Sequence, residues 1–482
     1  MTGITAILVS LVLLMFLAYR GVSVLLLAPL LAALAAFLSQ DVPVLAGYTQ
    51  VFMKALGNFI VLYFPLFLLG AIFGKLMEAS GAAGAIADWI VARLGRERAV
   101  LAVVLACAVL TYGGVSLFVV AFGIYPVASA LFRQADVPKR LIPASIALGA
   151  FTFTMTALPG TPAIQNAIPM PFFKTTPFAA PGLGVIAGLV MLAFGMVWLL
   201  YRARRAAKAA EGYGEPEETP LQQPDKTLRP LAQGEGYDLV EVGTQGAGRP
   251  GIAVALFPIL LVVALNYVFS RHLFPALDTG YLALPQYGAT ALDQLIGLWS
   301  IICALLLSNL AILVLNLRRL PGVTGTLDDG ASASALPIFN TASLVGFGAV
   351  IASLPAFAMI RDAVLHIAPG NPLISLSIAV NILAGITGSA SGGMSIALQT
   401  LGASYLDMAR QTGTSPELLH RVAAIATGGL DSLPHNGAVI TLLSICKLGH
   451  RQAYPDIFMV AVVGPLAALA VVVLLATWVG AF

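Results

Sequence analysis

Ionisable residues are the scarcest class in this sequence: Asp, Glu, Lys and Arg make up 10% of its 482 residues, against about 25% in a soluble domain. That scarcity excludes a water-soluble globular protein. The net charge is only +3 and its basic residues are scattered over short loops, so a nucleic-acid partner has no footing. Cysteine is nearly absent as well. Cys107, Cys303 and Cys446 stand in apolar segments without CxxC or Cys/His spacing, which leaves neither a disulfide framework nor a metal site, and no cofactor is expected. The first apolar stretch lacks a basic lead and a small-residue cleavage site, so it reads as an uncleaved span.

Apolar sequence is what abounds, with 59% hydrophobic residues and a mean hydropathy of +0.93. Segments long enough to cross about 30 Å of hydrocarbon run at 4–19, 22–38, 55–78, 141–172, 178–201, 250–270, 291–316, 333–365, 418–447 and 456–480. The fold class is therefore an all-α polytopic membrane protein in a lipid bilayer. Two further stretches, 99–132 and 372–409, are interrupted by TYGGVS (111–116) and TGSASGG (387–393). Each reads as a re-entrant hairpin or a pair of short spans that returns to its starting side.

The polar stretch 202–249 begins basic, turns acidic at Glu211, Glu215, Glu217 and Glu218, and is rich in Pro, Gly and Gln. It reads as a flexible cytoplasmic linker between a first repeat, 1–201, and a second, 250–482. Alternating spans then leave outside only Lys54, Lys174, Arg271, Arg361, Arg410 and Arg421, in keeping with the positive-inside rule. Local matches support the repeat: Gly113–Gly114–Val115–Ser116 with Gly392–Gly393–Met394–Ser395, Pro138 with Pro416, and Leu158–Pro159 with Leu433–Pro434. An odd number of full spans per half makes the halves inverted. Inverted repeats whose discontinuous helices meet near the midplane are the plan of many secondary transporters.

The chemistry gathers at the breaks. The stretch 423–442, AAIATGGLDSLPHNGAVITL, carries Asp431, Ser432, His435 and Asn436 around Pro434. An ionisable residue at mid-membrane costs about 2.5–3.5 kcal/mol and normally marks a substrate or ion pathway. A half-helix starting near the proline turns its N–H groups and positive end toward a bound anion, with His435 and Asn436 as further donors. The corresponding groups at TALPGTP (156–162) and just beyond are neutral: Thr156, Gly160, Thr161, Gln165 and Asn166. Hydroxyls and amides suit a substrate bearing hydroxyl groups as well as a carboxylate. Asp431, beside the negative end of the preceding half-helix, is the candidate proton carrier, or else a cap or sodium ligand. His435 is the second proton candidate, because histidine titrates between pH 5 and 8. Thr111, Gly113, Gly114 and Ser116 at one hairpin tip, and Thr387, Ser389, Ser391, Gly392 and Gly393 at the other, let a ligand approach the backbone closely. Close packing of small residues is the simpler explanation of the glycines. Asp88, Trp89 and Arg93 fall on a short amphipathic interfacial piece, while Asp407, Arg410, His420 and Arg421 read as loop or helix-end residues.

Three strings, 428–458 around DSLPHNGAVI, SASGGMSIAL (389–398) and 158–188 beginning LPGTPAIQN, resemble the gluconate permease family, nearest to its D-beta-hydroxybutyrate permease branch. The resemblance implies proton-coupled uptake of a small organic acid across a bacterial inner membrane, and a homodimer whose hairpins and broken helices move as an elevator against a fixed scaffold. The expectation is a secondary symporter of a hydroxy-acid monocarboxylate, with sodium coupling as the alternative. A passive channel, or an intramembrane aspartyl protease pairing Asp431 with Asp407, are the readings from other classes.

Overall fold

The computed structural model describes residues 2–20, 22–214, 248–434 and 436–482. Among these, every regular element is helical, since backbone in hydrocarbon must pair its own N–H and C=O groups. The first half opens with α1 (Thr2–Tyr19), α2 (Val24–Ser39) and the long α3 (Val44–Ala79), followed by the short α4 (Ala82–Leu94). Next come a hairpin, α5 (Ala99–Tyr112) and α6 (Leu117–Gln134), and a broken segment, α7 (Ile142–Ala150), α8 (Ile164–Ala167) and α9 (Pro169–Phe173). The long α10 (Pro181–Lys208) closes the half.

The same order returns after the linker. The second half has α11 (Ile252–Ala276), α12 (Leu292–Asn316), α13 (Val323–Ser353) and the short α14 (Phe357–Leu365). A hairpin, α15 (Pro372–Thr387) and α16 (Ala390–Thr412), leads to the broken pair α17 (Pro416–Leu430) and α18 (Gly437–Cys446), then α19 (His450–Val479). Corresponding members pack together across the halves, α3 on α13 and α10 on α19. Six helices, α3, α10, α11, α12, α13 and α19, are long and apolar enough to cross a membrane. Their outer faces leave Val61 79%, Val197 70% and Val314 76% exposed, as a lipid-facing surface does.

Three boundaries differ from the hydropathy reading. The span expected at 55–78 begins at Val44, and that expected at 178–201 continues to Lys208, because long basic side chains carry a helix out to the interface. The segment 333–365 is two helices. Pro355 forces the residue before it out of helical geometry, and Leu354 is extended at φ −76°, ψ 130°.

Small residues set the closest helix contacts. A Cβ on Gly149 of α7 would strike the Val104 carbonyl of α5, and one on Gly393 of α16 would strike the Ala384 backbone of α15. Such close approach is how helices associate where no hydrophobic effect drives them together.

Candidate functional site

The first break spans residues 157–163 between the short turn Phe153–Thr156 and α8. Pro159 and Pro162 deny the ladder two donors, and Gly160 takes φ +80° with a phenylalanine ring, Phe178, where a Cβ would sit. Four of the freed carbonyls find side-chain donors. Pro159 O accepts from Tyr112 Oη at 2.8 Å, Gly160 O from Asn266 Nδ2 at 3.2 Å, Ala157 O from Arg421 Nη1 at 2.9 Å and Thr161 O from Asn166 Nδ2 at 3.0 Å.

The second break, residues 431–436, follows the same logic. Pro434 O accepts from His450 Nε2 at 2.9 Å and Ser432 O from Tyr454 Oη at 3.2 Å. Asn436 caps α18, its Oδ1 accepting from the amides of Ala438 at 2.6 Å and Val439 at 3.3 Å, while its Nδ2 donates to Gly388 O at 2.7 Å. Both ends of Asn436 are thus spent on protein. Two of the half-helix amides expected to meet an anion are taken by this cap, which binds the second hairpin tip to the second break, while Gly437 at the start of α18 lines the smaller of the two cavities described next. Beyond the first break the expected half-helix is split into the short α8 and α9, too brief to focus a dipole.

Two connected cavities, of about 550 and 200 Å³, occupy the space between these parts. Ser116 and Gln165 line both. The larger adds Thr111 and Gly114 of the first hairpin, and the smaller adds Thr387, Ser389 and Ser391 of the second. The first tip lies directly on the first break, since a Cβ on Gly114, at φ +97°, would meet Pro162 at 2.8 Å. Thr111 and Gln165 are 3% and 6% exposed, yet Thr111 Oγ1 and Gln165 Oε1 have no protein partner. Two unpartnered buried oxygens on one cavity wall give it the few convergent polar groups of a ligand-binding surface.

The other expected site residues stand apart from the cavities. Thr156 Oγ1 donates to Thr152 O at 3.1 Å and Thr161 Oγ1 to Tyr112 O at 3.3 Å. Gly113 packs on Ile259, and Gly160 on Phe178. Gly392 and Gly393 lie inside α16, one turn beyond the actual tip at Gly388 and Ser389, so their match to Gly113–Gly114 is one of sequence and not of position. Asp431 ends α17, with its Oδ1 accepting from Ser432 Oγ at 3.1 Å, and neither residue reaches a cavity wall. His435 lies outside the described residues. Asp407 is exposed and paired with Arg410 at 3.0 Å, which removes it as a partner for Asp431.

Two features escaped the sequence reading. His420 and Arg421, read as helix-end residues on the outside, are fully buried in the second turn of α17. Arg421 donates to the carbonyls of Ala157, Pro177 and Ala179 and to Asn166 Oδ1, and His420 bonds Thr175 Oγ1 at 2.6 Å and Asn166 Oδ1 at 3.2 Å. Asn166, expected to face substrate, is thereby part of a lock between the two broken segments. The second feature is charge at the cavity: Lys75 of α3 and Asp329 of α13 line the larger one. Their signal was present, since both interrupt or border apolar segments, but only the crossing of α3 and α13 brings them together.

The fold recurs in solved transporters. The crystal structure of the Alcanivorax borkumensis YdaH transporter superposes with a TM-score of 0.56 at 14% identity, covering 89% of this chain and 88% of that one. Neisseria gonorrhoeae MtrF, described with a class of antimetabolite efflux pumps, superposes with a TM-score of 0.52 at 14% identity over 89% and 84%. Membrane-length apolar helices and the shared fold define the class: this is a multi-pass membrane protein with a transporter fold. Within that class the chain belongs to the family of the uncharacterized transporter YxjC of Bacillus subtilis, to which it is 43% identical over 471 residues, 97% of each chain. An uncharacterized transporter of Haemophilus influenzae is 30% identical over 169 residues, 35% of this chain and 36% of its own. No protein-family profile matches the chain.

Proposed function

We propose that the protein is a secondary active symporter, related to the gluconate permeases, which imports a small hydroxy-acid monocarboxylate such as D-3-hydroxybutyrate or a gluconate-like anion together with a proton. The observation that carries this reading is the meeting of Thr111, Ser116 and Gln165 from one half with Thr387, Ser389 and Ser391 from the other around one connected cavity. These six side chains carry hydroxyls and an amide, fitted to a polar ligand of modest size beside the charges of Lys75 and Asp329, and they are contributed by both halves, as alternating access requires. The recurrence of element order on either side of residues 202–249 supports two inverted repeats. The division of packing supports an elevator: α3 lies along α13, whereas α17 packs on α15, α16 and α9. A homodimer in a bacterial inner membrane, with the linker cytoplasmic, completes the proposal. Asp431 and His435 at the second break are the coupling candidates within this reading, and sodium coupling is the alternative.

The test is uptake of labelled D-3-hydroxybutyrate and gluconate into proteoliposomes under an imposed inward proton gradient and, separately, a sodium gradient. Accumulation of one acid with the proton gradient alone is expected. Accumulation with sodium alone would overturn the coupling, and no accumulation of either acid would overturn the substrate. Asp431→Asn is expected to abolish gradient-driven accumulation while leaving exchange; full accumulation in that variant would remove Asp431 from the coupling role.

A further inference from the structure

The larger cavity follows α3 from Leu66 to Lys75, about 13 Å at the helical rise. At its far end stands an ion pair within one helix: Lys75 Nζ lies 3.6 Å from Glu78 Oε2, with side chains 16% and 24% exposed. The separation is beyond hydrogen-bond reach, and Glu78 Oε2 is buried without a hydrogen-bond partner. Lys75 is the one basic group lining either cavity among the described residues. Gly330 of α13 is pressed against Ile72, which sets Asp329 opposite, exposed at the mouth of the same cavity. The other elements at this end, through Thr111 and Ser116 of the first hairpin and Leu305 of α12, bring no charge.

We propose that Lys75 and Glu78 couple the proton to the anion: the substrate carboxylate replaces Glu78 on Lys75, and Glu78 takes the proton that travels with it. The exchange balances. Lys75 remains an ammonium throughout, one carboxylate is traded for another as its counter-ion, and the displaced Glu78 carboxylate binds one proton from water, so that one anion and one proton enter together. Leaving Glu78 ionised after displacement would strand a half-buried charge without its partner, which is the costly state that proton uptake avoids. Asp329, exposed on α13, takes no part. This inference rests on the proton-coupled anion reading above and moves the proton from Asp431 and His435 to Glu78, one helical turn beyond Lys75 of the cavity wall.

The experiment measures proton uptake directly. Detergent-purified protein in weak buffer with a pH-indicator dye is titrated with acetate, D-3-hydroxybutyrate and gluconate, and anion binding is read in parallel by thermal shift. Wild type is expected to take up one proton per anion bound, and its apparent affinity to fall about tenfold per pH unit where Glu78 titrates. Glu78→Gln is expected to bind anion with no proton uptake and no pH dependence, and to keep counterflow exchange while losing proton-driven accumulation. Glu78→Asp, which keeps the carboxyl, is expected to retain proton uptake with a displaced pH profile, so that loss of fold in one variant does not obscure the result. Lys75→Met is expected to lose about ten- to a hundredfold in affinity, and Lys75→Arg to recover much of it. Anion binding without proton uptake in wild type, or unchanged uptake in Glu78→Gln, overturns the inference while leaving the choice of substrate standing. Proton-linked binding of some other monocarboxylate, without transport of D-3-hydroxybutyrate or gluconate, supports the inference and removes those substrates. Binding of none of the three acids overturns both.

Discussion

Arg421 shows how much one residue can hold. A guanidinium fully out of water is sustained here by carbonyl oxygens alone, at 2.8 to 3.4 Å, together with the Asn166 amide. Its planar fork meets several acceptors at fixed angles, which an ammonium cannot do. Arg421→Lys is therefore expected to lower stability by roughly 3 kcal/mol, the worth of one or two hydrogen bonds to a charged group, measured as an earlier unfolding midpoint in detergent. An unchanged midpoint would mean that the lock is dispensable. Nothing in the local sequence separates this arginine from one at a membrane surface. The sequence HRVAAIATGG reads equally well as a helix rising out of a loop, and burial is decided by residues 157–179, far away in the chain.

At the scale of elements, the breaks were legible because their cause is local. Proline and glycine at 159–162 and at 434–437 interrupt a helix wherever it is placed, so both were found within a residue or two. The second hairpin tip falls inside the expected stretch 387–393, but its glycine pair is not the turn. Gly392 and Gly393 look like a turn, yet they serve close packing, and the turn itself is made by Gly388 in the left-handed region at φ +60° with Ser389 capping α16. A glycine pair signals small size or conformational freedom, and sequence does not say which. Gly393→Ala distinguishes them. Its methyl would press on the Ala384 backbone, prying α15 from α16 at a cost of about 1–3 kcal/mol. A variant of wild-type thermal stability would return Gly393 to the tip. The cavity-lining residues were half legible: hydroxyls near breaks were easily listed as candidates, but which of them turn toward the cavity depends on hydrogen bonds such as those of Thr161 and Asn166.

The whole molecule is tied at one rim by Asp456, which is fully buried, accepts from Arg140 Nη1 at 2.9 Å, Trp198 Nε1 at 3.0 Å and Arg202 Nη2 at 3.4 Å, and forms an ion pair with Arg202 whose nearest atoms are 2.8 Å apart. These groups come from the approach to α7, from α10 and from α19. Asp456→Ala is expected to cost about 3–5 kcal/mol, because it leaves arginines facing a vacated site, and the loss should appear as reduced yield of folded protein. Arg140 also holds Glu211 at 2.6 Å, and this guanidinium keeps the Glu211 carboxyl below its ordinary value of 4.5. A lowered value means the contact contributes fully above that range and is lost as pH falls through the lowered one. The protection of backbone amides at residues 209–214, taken as exchange relative to the intrinsic rate at each pH, should therefore fall on acidification below about pH 4.5 and stay level above it; protection that is flat across this range would show that the contact does not hold the segment. The lock at Arg421 has a consequence for how the protein is made. Its carbonyl partners precede it by 242 to 264 residues, so at roughly 5–20 residues per second the ribosome runs for roughly 12 to 50 s before their donor exists. Over that interval the Ala157 and Ala179 carbonyls of the first half stand in the membrane without the donor that satisfies them in the finished fold, and the insertion machinery, or water held there with it, has to stand in for the second half of the chain.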